Sequence, residues 1–190
     1  MEHFYYTLGE NWFTYSPLYA KIASHFPSKS HFVEVGVWKG MSAAYMAVEI
    51  INQEKDIKFD CVDTWEFVSE EKTGISEDCY EDLYNIFLKN ISSVKHIITP
   101  VKKISWEAAN DYEDKSLDFI FIDAAHDYDS VKKDIEAWFP KLKDNGVIAG
   151  HDYELQVQDA VDEYFIPLNY EIQKGYRCWV ISPSNNFEIH

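Results

Sequence analysis

The sequence predicts an α/β fold: a Rossmann-like, doubly wound sheet of about seven strands, mostly parallel, with a C-terminal antiparallel hairpin and helices on both faces. Three observations lead there. Strand-like apolar runs alternate with segments of helical period. Several of those runs are apolar at successive positions, as strands covered on both faces are. The chain then closes on two alternating runs, which read as a hairpin contributing one antiparallel edge strand.

The elements follow in order. His31 to Val37 is a strand that breaks at Gly36 and opens a helix on which Met41, Ala44, Tyr45 and Val48 recur. Ile57 to Asp63 is a second short strand ending in an acid, and Ile97 to Val101 a third, flanked by lysines. Leu117 to Asp123 is the fourth; the helix after it carries Val131, Ile135, Trp138 and Phe139 on one face and stops near Pro140. Asn145-Gly146 turns into a fifth strand, Val147 to Ala149. A helix with Val157, Val161, Tyr164 and Phe165 precedes the hairpin, whose turn is expected at Lys174-Gly175.

A chain of 190 residues with 46% apolar and 16% aromatic composition has material for one core, so a single domain over 1–190 is expected. Within it, residues 1–29 form an aromatic-rich helical cap and 30–190 the Rossmann-like core. Phe4, Tyr5, Tyr6, Trp12, Phe13 and Tyr15 are too aromatic for a free tail, so the cap packs either over the cleft or against a second subunit, as in a homodimer. The stretch 66–82 carries seven acids against Lys72, which makes it a candidate acidic cover over the cleft or a solvated loop.

A formal charge of −16 repels phosphate backbones and anionic membranes, so neither nucleic acid nor a membrane is an expected partner; a small-molecule acceptor is. No stretch approaches the roughly 18 apolar residues of a membrane helix. Cys61, Cys79 and Cys178 have neither disulfide-framework nor zinc spacing and are expected as buried or half-buried thiols. The N-terminus lacks the basic and apolar regions of a secretion signal, and the expected location is the cytoplasm.

In a doubly wound sheet the chemistry sits beyond the carboxyl ends of the strands. The first strand ends in Glu34-Val-Gly-Val-Trp-Lys-Gly-Met-Ser42, where Gly36 and Gly40 allow a tight turn and close backbone approach at a helix N-terminus. Glu34, in a strand that should be buried, needs a cationic or hydrogen-bonding partner. Asp63, at the end of the second strand, can accept both hydroxyls of a ribose. Loop and acid together favour an adenosine-containing cofactor. The fourth and fifth strand ends read Asp123-Ala-Ala-His126 and Gly150-His151-Asp152. As neighbours in a parallel sheet they can bring Asp123, His151 and Asp152 to one cleft, with oxygen ligands and an imidazole for a divalent cation, and His126 within reach.

These residues resemble the class I S-adenosylmethionine-dependent methyltransferases, and more closely the metal-dependent catechol and macrolide-sugar O-methyltransferase type, over about residues 30–165. The resemblance implies that S-adenosyl-L-methionine binds through Glu34, Gly36, Trp38, Gly40 and Ser42, with Glu34 near its amino group and Ser42 near its carboxylate. It further implies Asp63 on the ribose, Thr64 beside the adenine, Ser105 and Trp106 closing the adenine pocket, and Asp123 beside the cofactor. Asp123 and His126 would be catalytic, His126 as general base, and Asp123, His151 and Asp152 would hold magnesium or manganese. His151 stands where that group has an acid, and imidazole favours softer cations than magnesium. The implied activity is O-methylation of a sugar or catechol-like diol. The alternatives are a metal-independent N- or O-methyltransferase, a non-catalytic S-adenosylmethionine-binding module, and a nicotinamide-dependent reductase, which Trp38 disfavours by standing where a pyrophosphate must approach.

Overall fold

The computed structural model describes residues 1–9, 12–66 and 82–190. Its seven strands are β1 (His31–Val35), β2 (Lys58–Asp63), β3 (Ile98–Lys102), β4 (Leu117–Ile122), β5 (Leu142–Gly150), β6 (Gln173–Gly175) and β7 (Cys178–Ile181). They form one sheet in the order β3-β2-β1-β4-β5-β7-β6. β1 to β5 pair in parallel, whereas β7 pairs antiparallel with both β5 and β6. The order reverses between β1 and β4, and the crevice beyond their carboxyl ends is where such sheets take ligands.

The pleat explains the successive apolar residues. Along β4, Phe119 and Phe121 face the layer built by α1 (Ser16–His25), α2 (Met41–Asn52) and α3 (Leu83–Asn90). Leu117, Ile120 and Ile122 face the layer of α4 (Ser105–Ala108), α5 (Tyr128–Trp138) and α6 (Leu155–Phe165). Every residue of β4 is buried, as a central strand covered twice requires. α5 begins where the Asp127 carboxylate accepts the Ser130 N–H at 3.0 Å and ends two residues before Pro140, which has no N–H to continue it.

The N-terminal segment lies on this same body. His3 stacks on Tyr45 of α2 at 4.2 Å, Phe13 and Tyr15 are buried, and α1 packs on α2. Within the chain, Trp12 stacks on Trp38, and Thr14 and Tyr15 reach His151 and Asp123. The acidic stretch falls largely on 67–81 and so outside the described residues, as does Cys79; Cys61 and Cys178 are buried free thiols. Among the described residues no helix is long and apolar enough to cross a membrane.

Three local expectations need correction. Asn145-Gly146 does not precede the fifth strand but lies within it, in an irregularity where pairing jumps from Leu117↔Leu142 to Phe119↔Val147. Gly146 is there for close approach: an added Cβ would meet the Asp118 carbonyl oxygen at 2.9 Å. The hairpin turn is Tyr176-Arg177 rather than Lys174-Gly175, because Gly175 already pairs with Cys178. Finally, the antiparallel strand β7 is not the sheet edge; β6 is.

Candidate active site

The glycine loop is fixed by the strand beside it. The Gly36 N–H donates to the Val62 carbonyl and the Asp123 N–H to the Val35 carbonyl, both at 2.8 Å. Gly36 has φ +81°, and a Cβ there would stand 2.1 Å from the Asp123 carbonyl oxygen, so only glycine lets the loop and the β4 end meet. Gly40, at φ +84°, caps α2 and lies against the Phe87 ring.

Asp63 holds this loop. One carboxylate oxygen accepts the N–H groups of Val37 and Trp38, each at 2.9 Å, and the other accepts the Trp65 N–H at 2.7 Å. Trp38 stacks parallel on Trp12 at 4.7 Å and accepts the Trp65 indole N–H at its carbonyl. Glu34 and Ser42 meet: the Ser42 hydroxyl donates to Glu34 Oε1, and both residues are buried. Glu34 Oε2 is buried without a hydrogen-bond partner among the described residues. Burial pushes the Glu34 carboxyl up to about 8, against the opposing pull of the Ser42 and Tyr19 hydroxyls.

The residues expected around an adenine follow the ends of β2 and β3, which pair at Asp63 and Lys102. Thr64, half-buried, accepts the Glu66 N–H at 3.2 Å. The Ser105 hydroxyl accepts the Trp138 indole N–H at 2.9 Å and bonds Asp134, whose carboxyl is pushed up to about 7 by burial. Trp106 is exposed, with the Lys133 ammonium 5.2 Å over its ring.

At the β4 and β5 ends the convergence is close. His126 Nε2 lies 3.5 Å from Asp123 Oδ1 and 3.5 Å from Asp152 Oδ2. Ligand-capable atoms of Asp123, His126 and Asp152 all fall within 4.8 Å of one another, a spacing that suits one cation. His151 is buried beside them, with Nδ1 3.4 Å from Asp152 and 3.8 Å from Asp123. A cavity of about 10 Å³ lies against Asp123, His126 and His151.

Sequence reasoning missed three participants. The Tyr15 hydroxyl donates to Asp123 Oδ2 at 2.9 Å, and Thr14 Oγ1 sits 2.9 Å from His151 Nε2, so the N-terminal segment reaches both strand ends. Burial, and then the charge of Asp123, hold the Tyr15 phenol well above its ordinary range, which keeps it a neutral donor. The third is Arg177, 2.8 Å from Asp152 Oδ1. The aromatic run containing Tyr15 was a visible signal; nothing local marks Thr14.

Comparison with known proteins bears on this site. A protein-family model described as a methyltransferase domain matches residues 33–153, which include the glycine loop and both acid-bearing strand ends. Uncharacterized protein y4gI of Sinorhizobium fredii is 29% identical over 124 residues, 65% of this chain; the chain spans 13% of that protein's length. Among solved structures, the O-methyltransferase NovP aligns with a TM-score of 0.68 at 15% identity, covering 89% of this chain and 79% of NovP. CalS11, a TDP-rhamnose 3′-O-methyltransferase of calicheamicin biosynthesis, aligns with a TM-score of 0.59 at 11% identity, covering 88% of this chain and 76% of CalS11. At those identities the two structures share a fold with this chain. The family match spans more than half of the sequence, and the chain belongs to the methyltransferase-domain family, with the fold of the class I S-adenosylmethionine-dependent methyltransferases.

Proposed function

We propose that this chain transfers a methyl group from S-adenosylmethionine to a hydroxyl of a small molecule, a sugar or catechol-like diol, with assistance from a divalent cation. The observation that carries this reading is the convergence of Asp123, His126 and Asp152 beside the glycine loop, which meets the β4 end at Gly36, where an added Cβ would stand 2.1 Å from the Asp123 carbonyl oxygen. The names of NovP, an O-methyltransferase, and CalS11, a sugar O-methyltransferase, support the acceptor class.

The cofactor would lie along the loop from Glu34 to Ser42. Glu34 Oε2, buried and with only hydroxyl neighbours, would take the amino group, Ser42 would serve the carboxylate and Asp63 the ribose, with Gly36, Trp38 and Gly40 shaping the loop. Thr64, Ser105 and Trp106 would border the adenine.

Methyl transfer is an in-line displacement. The acceptor oxygen bonds the methyl carbon while the carbon–sulfur bond breaks, its electron pair stays on sulfur, and the acceptor proton leaves. His126 Nε2 would receive that proton, a contribution of about 10²–10⁴-fold. Holding oxygen, carbon and sulfur in line contributes up to roughly 7–11 kcal/mol. Asp123 and Asp152, with His151 Nδ1 at 3.8 and 3.4 Å from them, would hold magnesium or manganese, and such an ion would lower the pKa of the attacked hydroxyl and fix its neighbour. Tyr15 and Thr14 would keep Asp123 and His151 oriented.

A second reading, a metal-independent methyltransferase, draws on the same distances, because His126 and Arg177 already give both carboxylates cationic or hydrogen-bonding partners. The test is S-adenosylhomocysteine production over a panel of sugar diols, catechols and amines, with and without a chelator. Turnover of a diol that stops with chelator and returns with magnesium or manganese is the expected result. Turnover indifferent to chelator favours the second reading. Calorimetric binding of S-adenosylmethionine with no turnover of any acceptor would leave a binding module.

A further inference from the structure

The chain's cations are sixteen lysines and one arginine, and that arginine is at the site. Arg177 sits in a two-residue turn between β6 and β7 where both Tyr176 (φ +55°) and Arg177 (φ +61°) are left-handed. Hairpins of this kind select asparagine and glycine, and bulky residues are strained there. Asp152 is left-handed too, at φ +47°. The three uncommon conformations converge on one contact: Arg177 Nη2 lies 2.8 Å from Asp152 Oδ1 and 2.8 Å from Glu154 Oε1. The Arg177 carbonyl also accepts the Tyr153 N–H at 3.0 Å, which ties the turn to the segment leaving β5.

A guanidinium stays charged at every working pH and presents a planar fork, which an ammonium does not. Asp152 Oδ1 is shared by Arg177 and, at 3.4 Å, His151 Nδ1, which leaves Oδ2 facing His126. The guanidinium thus both rotates this carboxylate and neutralises part of the charge that would attract a cation.

We propose that Arg177 is a positioning residue that shares Asp152 with the cation site, so that a divalent ion bound at Asp123 and Asp152 draws Asp152 away from the guanidinium, and this competition sets the affinity for the ion. The inference rests on the cation-assisted reading given above. Both contacts come from the one nitrogen Nη2, so a lysine at 177 would keep the charge and lose only the fixed plane of the guanidinium.

The sole arginine gives a single guanidinium Nε resonance, which makes the wild-type protein its own probe. Titration with magnesium, followed by nitrogen-15 NMR, is expected to move that resonance along a saturable curve. Free manganese, followed by electron paramagnetic resonance, is expected to bind Arg177→Gln about three- to tenfold more tightly than wild type, with Arg177→Lys in between. Manganese bound by wild type with the arginine resonance unmoved by magnesium, or bound equally or more weakly by a folded Arg177→Gln, overturns the competition and leaves the cation reading standing. No manganese bound by wild type or either variant overturns both. Should Arg177→Gln fail to fold, the wild-type resonance decides alone.

Discussion

Buried and half-buried acids stand along the sheet, and their partners differ between its amino-terminal part and its carboxyl end. In the amino-terminal part, Asp60 Oδ2 is met by His31 Nε2 at 2.8 Å, Lys58 Nζ at 3.1 Å and the Tyr112 hydroxyl at 3.1 Å. Asp118 there accepts the His31 N–H at 2.8 Å and Lys143 Nζ at 2.7 Å. At the carboxyl end, Glu34 is met by hydroxyls alone, and Asp123 by the Tyr15 hydroxyl and two imidazoles at 3.5 and 3.8 Å. Burial raises Asp60, but the bonds and charges of His31 and Lys58 outweigh it and hold the carboxyl below its ordinary value; burial of Glu34, without a cation beside it, carries that carboxyl up to about 8. Paired acids hold a fold together. Glu34 and Asp123, met by hydroxyls and imidazoles, are suited to meet a cation on a ligand, whereas Asp152 at the same end already meets Arg177.

The contrast breaks most visibly at His126. His126→Ala is expected to lower turnover about 10²–10⁴-fold while calorimetric affinity for S-adenosylmethionine stays close to wild type. Equal turnover would remove the base from the carboxyl end.

Glu34→Gln probes the same end twice. Affinity for S-adenosylmethionine should fall by about 1.5–3 kcal/mol, because the cofactor's ammonium would draw Glu34 into its ionised form on binding and an amide cannot supply that charge. Stability should move the other way. A folded value of about 8 lies above the ordinary 4.5, so the unfolded chain ionises first and wild-type stability falls as pH rises from about 4.5 to about 8. The glutamine variant lacks that loss, so it should match wild type near pH 4 and exceed it by a few kcal/mol near pH 8 in urea unfolding, on the order of 1.4 kcal/mol per pH unit across the window. A difference that does not grow with pH would mean that Glu34 is ionised in the folded protein.

Much of this was legible in the sequence, for a physical reason. The sheet was readable because strands covered on both faces carry unbroken apolar runs, as Leu117 to Ile122 does, and because helices between them keep a 3.6-residue period. Asp123 and Asp152 could be placed together because parallel neighbours align their ends whatever the side chains do. Contacts between distant parts of the chain were not readable. Tyr15 and Asp123 are 108 residues apart, Thr14 and His151 137, and no local pattern links either pair. The hairpin turn was misplaced by one step because Lys174-Gly175 is the stronger turn signal, and Tyr176-Arg177 adopts left-handed geometry against its own preference.

Asp60→Ala tests the amino-terminal part, where the effect should be smallest and confined to stability. The substitution leaves His31 and the Tyr112 hydroxyl without their shared acceptor, while Lys58, whose side chain is 60% exposed, turns to water. A loss of about 2 kcal/mol at pH 7 is expected, below the full cost of breaking a wholly buried pair. The sign with pH is opposite to that of Glu34. Because the folded value lies below the ordinary 3.8, the stabilisation is complete above 3.8 and fades as pH falls through it, so wild type and Asp60→Ala should converge in acid. Affinity for S-adenosylmethionine should not change, since Asp60, one register step from Glu34, points to the opposite face of the sheet, where Tyr112 packs. A gap in urea midpoints that does not narrow as pH is lowered below 3.8, or a cofactor affinity that falls with Asp60, would erase the distinction between acids that hold the fold and acids that wait for a ligand.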